Sequence, residues 1–475
     1  MCSGYSFDNL VDARLRKFQQ DYLQRKKPVR VNFRSLCSDW LWARRSEAYS
    51  HLMHRYPAKI FPYIPIFFLS SKTYASPNEI VLDPFAGTGT VLLESITHPY
   101  FKRHAIGVEI NPLARLITKV KTTPIDTAKL TTVAKDLIAH VKTFSGRAEI
   151  PEFPNRNLWF SPHVQVELSK IRKCIEEIED NDIKDFFLVC FSSIIREVSR
   201  ADSRIATPVI LRPENFTDPQ EQKKVENLLK KKKYGKPLSC FKEKVEKNIR
   251  RLESLNKIDE IKSGKVTSEI VWDDARDLKS GRLVGKGRID KTGARPIANE
   301  SIGLVITSPP YINAQKYVRT TKFELFWLGM ISEKELVGLD RRFIGTERIY
   351  FNEYKGLSYV GIASADNVIK HIYTKDPAKA GVVSKYFHDM RLVMREVHRV
   401  LEKGGRFILV IGDNTICGIK VKNHKILVDI AVQEVGFELE FVLVDKIRSR
   451  GMITKRHETG GLMLNDWIIV LKKEE

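Results

Sequence analysis

Two consecutive prolines stand directly before a tyrosine in TSPPYINAQKY, residues 307–317, just after the aliphatic run SIGLVI. Proline cannot donate a hydrogen bond to a sheet ladder, and its ring stiffens the backbone. Strand pairing must therefore stop at Pro309 and Pro310, where a rigid loop begins between Ser308 and Tyr311. Taken alone, the tetrapeptide is more often a plain strand-ending turn, but a rigid loop at a strand end is also a common place for reactive side chains.

A second stretch that could do chemistry is VLDPFAGTGTVLLES, in which a strand, an acidic residue, a glycine-rich turn and a helix follow one another. Gly87 and Gly89 allow a ligand to approach the backbone, and the amino terminus of a helix follows them. The turn is neither GxGxxG nor GK[ST], which disfavours dinucleotides and ATP. The next strand ends at Glu109, about twenty residues further on, where an acid commonly binds ribose hydroxyls. This succession predicts a nucleotide-like cradle.

Seven short runs rich in aliphatic and β-branched residues predict the strands that position these loops. Helical patterns separate most of the runs, and near-continuous apolar runs are typical of strands buried on both faces of a parallel sheet. We therefore expect an α/β fold with a doubly wound, mostly parallel, seven-stranded Rossmann-like sheet and ligands at the carboxyl ends of its strands. The predicted strands are 79–85, 104–110, 268–275, 301–309, 404–413, 437–447 and 467–473.

Residues 121–266 contain long amphipathic helical patterns and no convincing strand, which predicts a helical insertion. The insertion would divide the sheet domain into a first part, 1–120, with the glycine turn, and a second part, 267–475, with the proline loop. Its distal segment, 223–251, holds twelve basic and three acidic residues. That charge fits a solvated helix pair as well as a surface that contacts phosphates.

Residues 339–384 are rich in glycine, tyrosine and single charges, and they lack clear helical periodicity. We expect a long irregular segment there, and such segments inside a compact domain are usually functional or mobile. The segment is a candidate for target recognition, as is the helical insertion.

Composition places the chain among soluble globular proteins, with 43% hydrophobic and 9% aromatic residues. Lysine and arginine outnumber aspartate and glutamate by 80 to 58, and the resulting charge of +22 favours a polyanionic partner. No apolar stretch reaches the roughly 20 residues that a membrane span needs, and the first residues lack the apolar core of a signal peptide. The six cysteines are scattered without a CxxC pair, which favours reduced thiols. We expect a cytoplasmic protein without a membrane partner.

The motifs together resemble those of one enzyme family. DPFAGTGT with GVEINPLA is similar to the S-adenosylmethionine site of the amino-group DNA methyltransferases, and TSPPY resembles the [DNS]PP[YF] loop that follows their fourth strand. HRYPAKIFPYIP, residues 54–65, resembles the family's segment before the glycine turn, and VWDDAR, residues 271–276, resembles the end of its third strand. The blocks occur in working order, and the resemblance covers most of the chain outside the insertion.

The resemblance implies S-adenosylmethionine as the cofactor, no required metal, and double-stranded DNA as the partner. Glu109 would bind the ribose, Asp274 the adenine amino group, and Pro57 and Lys59 would lie near the methionine end. Asp273 is a close rival of Asp274, because a one-residue strand shift exchanges them. The implied cofactor-binding residues are Pro57, Lys59, Asp83, Phe85, Gly87, Gly89, Glu109 and Asp274, and the implied catalytic residues are Ser308, Pro309, Pro310 and Tyr311.

The implied reaction gives the prolines a purpose. S-adenosylmethionine brings an electrophilic methyl group, so the enzyme must orient and activate a weakly nucleophilic exocyclic amine. The Ser308 hydroxyl and the Pro309 carbonyl can accept hydrogen bonds from the two amino protons and stabilise the positive charge that grows on the nitrogen. Tyr311 would stack on a base rotated out of the duplex, because a base inside the stack cannot reach the methyl group.

Serine at the first loop position resembles the cytosine-N4 subclass, whereas aspartate there is typical of the adenine-N6 subclass. We therefore expect a site-specific, cytosine-N4-specific DNA methyltransferase, in a restriction-modification system with a cognate restriction endonuclease as a possible partner. Methylation at cytosine carbon 5 would need a cysteine nucleophile, which the loop lacks. Three alternatives stay open: adenine N6 methylation, RNA or tRNA base N-methylation, and a basic nucleic-acid-binding protein that has lost catalysis. The sequence reveals neither the recognition sequence nor the oligomeric state.

Overall fold

The architecture comes from a computed structural model whose centre is an eight-stranded sheet. The residues that it describes are 7–37, 49–56, 59–74, 76, 79–202, 205, 207–233, 235–279, 296–312, 317–447 and 463–474. A separate two-stranded hairpin follows the sixth strand. The strands are β1 (Val29–Val31), β2 (Ile80–Asp83), β3 (His104–Val108), β4 (Ser268–Trp272), β5 (Ile302–Thr307), β6 (Leu401–Ile411), β7 (Asn414–Ile416), β8 (Ile419–Val421), β9 (Phe437–Lys446) and β10 (Asn465–Lys473).

The strands of the main sheet lie in the order β1, β9, β10, β6, β5, β2, β3, β4. β10 pairs antiparallel with both β6 and β9, and the other neighbouring pairs are parallel. β2 lies beside β5 although they are far apart in sequence. The glycine turn that follows β2 and the proline loop that follows β5 are therefore brought to the same edge of the sheet.

Both faces of the sheet are covered by apolar layers, as the aliphatic strand runs require. Val81 and Leu304 point into one apolar cluster, whereas their neighbours Leu82 and Val305 point into a second cluster on the opposite face. This alternation follows from the two-residue period of a strand. The doubly wound, mostly parallel arrangement confirms the fold class that the sequence predicts.

The helices pack on both faces of the sheet and fill the interval between β3 and β4. Helices α5 to α12 all lie between those two strands, and α6 to α12 fall within 121–266, where the sequence predicts an insertion. The helices are α1 (Phe7–Arg25), α2 (Phe33–Leu36), α3 (Tyr63–Leu69), α4 (Thr90–Thr97), α5 (Pro112–Thr122), α6 (Thr127–Thr143), α7 (Arg156–Trp159), α8 (Pro162–Glu176), α9 (Asn181–Val198), α10 (Pro219–Lys233), α11 (Pro237–Leu255), α12 (Asp259–Lys262), α13 (Tyr317–Trp327), α14 (Glu333–Arg342), α15 (Ala363–Tyr373), α16 (Pro377–Val400) and α17 (Asn423–Ile430).

Each of the seven predicted strands is present, but the predicted strand number is wrong by one. The additional strand is β1, which pairs in parallel with β9 at the sheet edge through Val29, Arg30 and Val31. Three residues are too few to show a two-residue hydrophobic period, so pairing with a long neighbour decides this strand rather than its own pattern.

The expectation of a long irregular segment at 339–384 is only partly correct: residues 343–362 are irregular apart from the short 3-10 turn Phe351–Glu353, but most of the rest is helical. α14 ends inside it, α15 crosses it, and α16 begins at Pro377. α15 buries only Ala365, Ile369 and Ile372, which form a narrow stripe on an otherwise polar helix. The helix is stabilised mainly by the packing of that stripe, so the hydrophobic period in its sequence is too weak to predict it.

No helix in the described ranges combines the length and the apolar character that crossing a membrane requires.

Candidate cofactor and catalytic site

A cleft of about 600 Å³, open to solvent, lies at the carboxyl ends of β2, β3, β4 and β5. This position is the usual ligand site of open α/β sheets. The cleft brings together six of the residues that the sequence predicts, from four separate motifs. They are Phe85, Gly87, Glu109, Asp274, Ser308 and Pro310.

The glycine turn has a backbone conformation that favours glycine at two positions. Gly87 and Gly89 have φ angles of +53° and +69°, and Gly89 is the N-cap of α4. A Cβ atom at Gly89 would lie 2.6 Å from Cγ2 of Thr118, so a side chain would be excluded by sterics as well as by φ. Gly89 itself does not line the cleft; it allows the chain to turn tightly into the helix.

Helix α5 holds the carbonyl groups of this turn from behind. The Thr118 hydroxyl donates to the Gly87 carbonyl at 3.0 Å, and the Lys121 ammonium donates to the Thr88 carbonyl. Lys121 is buried, and burial together with the nearby Lys59 lowers its pKa well below the usual value. With their carbonyls fixed on α5, the peptide units of the turn have a defined orientation.

Glu109 lines the cleft and also fixes the turn. One carboxylate oxygen accepts the Gly87 N–H at 2.8 Å, and the other accepts the Asn111 N–H at 2.7 Å. Burial raises the pKa of Glu109 to about 7, although both backbone donors oppose that rise. Each oxygen keeps a further lone pair that could accept a ligand hydroxyl.

Asp83 lies beneath the cleft rather than in its wall. It is buried, and it accepts hydrogen bonds from the Thr307 hydroxyl and, at 3.0 Å, from the Phe85 N–H. Burial raises its pKa to about 7. The carboxyl thereby ties the end of β2 to the end of β5, the strand that carries the proline loop.

The two aspartates that follow β4 have different partners. Asp274 receives two hydrogen bonds from the Arg276 side chain, at 2.9 and 2.7 Å. Asp273 is buried, and one of its oxygens accepts from Arg342 at 2.8 Å. Its other oxygen, Oδ1, is buried and has no hydrogen-bond partner among the described residues. Both residues line the cleft.

The proline loop presents Ser308 and Pro310 to the cleft, whereas Pro309 is buried. The Ser308 and Tyr311 hydroxyls lie 3.4 Å apart. Burial raises the pKa of Tyr311 well above 10. Tyr311 is half-buried and does not line the cleft.

A side-chain network holds the far end of this loop. The Asn414 amide donates to the Ile312 carbonyl at 3.0 Å, and the Asn423 amide donates to the Asn414 side-chain oxygen at 2.7 Å. The loop is therefore fixed to the segment after β6, the strand beside β5.

The two residues predicted upstream of the turn have different outcomes. Pro57 lies outside the described residues. The Lys59 ammonium donates to the carbonyls of His51 and His54, each at 3.2 Å, and Lys59 does not line the cleft.

Other cleft residues were not predicted from the sequence. Tyr56 lies within the upstream block and accepts a hydrogen bond from the Asn111 amide at 3.0 Å. Tyr317 begins α13, and its ring stacks on Phe343 with centroids 5.8 Å apart. The order of the motifs signals Tyr56, but nothing local signals the cleft residues Arg342, Phe343 and Ile344, which the fold brings from beyond α13.

Comparison with known proteins adds similarity over most of the chain, although no family model matches it. The chain is 24% identical over 446 residues to the type II methyltransferase M.MvaI of Kocuria varians, covering 89% of this chain and 91% of that protein. It is 30% identical over 156 residues to the type II methyltransferase M.AvaI of Nostoc sp. strain PCC 7120, covering 30% of this chain and 32% of that protein.

Among solved structures, a Thermus thermophilus protein described as a DNA modification methylase, complexed with S-adenosyl-L-methionine, is 15% identical with a TM-score of 0.19. That match covers 38% of this chain and 50% of the other, and at this TM-score it does not bear on the fold. The similarity to M.MvaI extends well beyond the motifs. It agrees with the sequence blocks around the glycine turn and the proline loop, so the chain is similar to a type II methyltransferase over most of its length.

Proposed function

We propose that the protein transfers a methyl group from S-adenosylmethionine to the exocyclic amine of a base rotated out of duplex DNA, with cytosine N4 as the target. One observation carries this proposal: the glycine turn, the ribose acid Glu109 and the Ser308 loop line a single cleft. Methyl transfer needs the cofactor and the accepting nitrogen side by side. A cofactor site alone would not require a rigid acceptor loop beside it.

The residues of the cleft suit the adenosine part of the cofactor. Glu109 offers two carboxylate oxygens for ribose hydroxyls, each already oriented by a backbone N–H. Buried Oδ1 of Asp273 lacks a partner among the described residues, whereas Arg276 bonds to both oxygens of Asp274. A buried acceptor without a donor is costly, and an adenine amino group would supply the donor. We therefore assign the adenine contact to Asp273 rather than to Asp274.

The cofactor, when bound, supplies a methyl group on a positively charged sulfur. The chain supplies two acceptors for the amino protons, the Ser308 hydroxyl oxygen and the Pro309 carbonyl. Accepting both protons concentrates the nitrogen lone pair toward the methyl group and stabilises the charge that develops there. The two prolines and the hydrogen bond from Asn414 to Ile312 fix these acceptors before the substrate arrives.

Tyr311 backs the extruded base. Its hydroxyl lies 3.4 Å from that of Ser308, so its ring is adjacent to the acceptor that holds the amine. An aromatic side chain can stack on either cytosine or adenine, since every base has a π-face. The choice of cytosine N4 rests on serine at position 308, and adenine N6 is the second candidate. We also propose that the modification protects host DNA against a cognate restriction endonuclease, by analogy with the type II relatives.

The test is methyl transfer from labelled S-adenosylmethionine to unmethylated duplex DNA, followed by sequencing that identifies the modified base and its surroundings. We expect N4-methylcytosine at one short motif, and no transfer to tRNA or other RNA. Ser308→Ala should lower the single-turnover rate by roughly 100-fold or more, the range for a lost charge-stabilising acceptor. Tyr311→Ala should lower it by roughly 5- to 100-fold, the range for a lost base–aromatic stack. Both variants should bind cofactor with nearly unchanged affinity.

Unchanged turnover in both variants would remove the catalytic assignment, and N6-methyladenine in the product would replace cytosine by adenine. Transfer to RNA but not to DNA would overturn the proposed substrate. A control variant is Leu158→Ala, because Leu158 is 45% exposed and lies on α7 outside the cleft.

A further inference from the structure

Two adjacent aromatic side chains near the candidate site are largely exposed, although each has one neighbour. The Arg341 guanidinium lies 3.0 Å from the centre of the Tyr350 ring, and the Tyr354 ring lies edge-on to that of Phe351 with centroids 5.3 Å apart. Phe351 is 66% exposed and Tyr350 is 61% exposed, and Phe351 has the largest exposed fraction of any large apolar side chain in the described part of the chain. Single exposed apolar residues are ordinary, but two adjacent aromatic rings at the surface need a reason.

The segment that carries these rings is firmly held. Arg341 pairs with Glu353 at 2.8 Å, and the Glu353 carboxylate also accepts the Tyr350 N–H. The space at Gly381 is filled by Tyr354 and Ile349, whose atoms a Cβ there would meet at 2.6 and 3.0 Å. The backbone on both sides of the aromatic pair is therefore packed or ion-paired, so Tyr350 and Phe351 are presented on a fixed support.

This support lies at the catalytic edge of the sheet. α16 runs directly into β6 at Val400, so the two elements are antiparallel neighbours and the start of α16 lies near the carboxyl ends of the strands. Gly381 is in the second turn of α16. On the amino-terminal side of the aromatic pair, Gly345 lies against the proline loop, because a Cβ at Gly345 would be 3.0 Å from the carbonyl oxygen of Tyr311.

The distance between the aromatic pair and the proline loop is short on the scale of a DNA duplex. Phe351 follows Gly345 by six positions, and an extended chain spans at most about 3.5 Å per position, or roughly 21 Å in all. That limit corresponds to about six base pairs at a rise of about 3.4 Å each. The aromatic pair therefore lies within about six base pairs of a target base that enters the Ser308 loop.

We infer, on the basis of the proposed function, that Phe351 and Tyr350 form a wedge that enters the duplex and fills the space left by the extruded target base. Apolar and aromatic side chains inserted between base steps are a known means of holding a distorted duplex. Base stacking on the ring offsets part of the free energy that extrusion costs. A second copy of this chain is a poorer occupant, because two molecules that each carry a formal charge of +22 repel one another, whereas DNA is attracted.

The test compares two duplexes that contain the motif mapped by sequencing. One is fully paired, and the other has an abasic site opposite the target base, which makes extrusion easier. Single-turnover methyl transfer is measured for the wild type, Phe351→Ala and the double variant Y350A/F351A. We expect the double variant to be slower on the paired duplex by roughly 5- to 100-fold, the range for one lost base–aromatic stack. On the abasic duplex the loss should shrink to about 3-fold or less.

Tyr100 gives a matched control. It is 59% exposed and lies just before β3, at the amino edge of the sheet and away from the cleft. Tyr100→Ala should leave both rates unchanged, and Phe351→Trp should retain the wild-type rate on the paired duplex. With 2-aminopurine at the target position, the wild type should raise the fluorescence on binding, and Y350A/F351A should raise it less.

Equal slowing on both duplexes, or no slowing on the paired one, would overturn the wedge. A changed sedimentation coefficient for Y350A/F351A without DNA would also overturn it, since the pair would then belong to an interface between copies. Failure of the proposed function has a different result: the wild type would methylate neither duplex.

Discussion

Asp273 and Asp274 are adjacent in sequence, yet the fold gives their carboxylates different surroundings. Both oxygens of Asp274 are bonded to the Arg276 guanidinium, a bidentate contact that leaves its charge already compensated. Asp273 shares one oxygen with Arg342 and keeps the other buried and free of described donors. An aspartate in this second condition is the better ligand for an amino group.

The corresponding prediction concerns cofactor affinity. Asp273→Ala should weaken binding of S-adenosylmethionine by roughly 10- to 100-fold, as expected for a lost hydrogen bond to a charged group. Asp274→Ala should change the affinity by less than about 3-fold but lower the melting temperature, because Arg276 loses one of its two carboxylate partners and keeps only Asp389. Calorimetric titration and thermal unfolding of each variant separate the two effects. A larger loss of affinity in Asp274→Ala would exchange the two roles.

Glu109 makes cofactor binding depend on pH. Its pKa of about 7 means that the carboxyl is largely neutral at pH 6 and largely ionised at pH 8. The ionised form is the stronger acceptor for ribose hydroxyls, so affinity should rise as the pH increases through 7. The gain should be about 5-fold, the difference between a neutral and a charge-assisted hydrogen bond.

Methylthioadenosine is the probe for this effect, because it has the ribose and adenine but no amino acid group that titrates in this range. Glu109→Gln should bind it more weakly at pH 8 and show little change between pH 6 and 8. Asp83 also has a pKa of about 7, but it is bonded beneath the cleft and does not line it. Equal pH dependence in Glu109→Gln would assign the titration to Asp83 instead.

Among the secondary-structure elements, α5 has a role that its amphipathic pattern does not reveal. One side of it packs in the apolar core through Leu113 and Ile117, while Thr118 and Lys121 hold carbonyls of the glycine turn. The helix therefore acts as a support that orients the turn. The contribution of α5 to cofactor binding can be separated from its contribution to packing at Thr118. The Thr118 hydroxyl bonds to the Gly87 carbonyl, whereas its methyl group packs against Gly89.

Thr118→Val removes the hydroxyl and keeps the shape, so the Gly87 carbonyl loses its donor. We expect the dissociation constant for S-adenosylmethionine to rise by roughly 3- to 10-fold, the effect of one hydrogen bond, with little change in kcat at saturating cofactor. Thr118→Ser keeps the hydroxyl and should retain the wild-type affinity. Equal affinities for the two variants would show that the hydroxyl does not position the turn.

The elements that the sequence predicts correctly are those with a local signal. The strands before the glycine turn and the proline loop carry long apolar runs that end in Gly or Pro. β1 and α15 lack such a signal, because β1 has three residues and α15 buries a narrow stripe. The same limit applies to the site: Phe343 reaches Tyr317 by long-range packing, which no motif spacing reveals.

At the scale of the whole molecule, the helical insertion is continuous with the core of the sheet domain. Phe186 in α9, Phe326 in α13 and Val81 in β2 belong to one apolar cluster. Phe153, from the insertion, stacks on Phe326 with centroids 4.9 Å apart and rings 5° from parallel. Phe323, Phe326 and Trp327 of α13 are all buried in this core.

This continuity predicts that the insertion and the catalytic loop unfold together. Phe153→Ala should lower the free energy of unfolding by about 3 kcal/mol, the usual cost of removing a buried ring, and the loss should be the same by every probe. The measurement is urea unfolding followed by circular dichroism and by cofactor affinity, with Leu158→Ala as a matched control because Leu158 is 45% exposed. If the insertion were an independent unit, Phe153→Ala would produce an intermediate that still binds S-adenosylmethionine after the helical signal has fallen. Coincident transitions at a lower urea concentration instead mean that α13 transmits the loss to the Ser308 loop that precedes it.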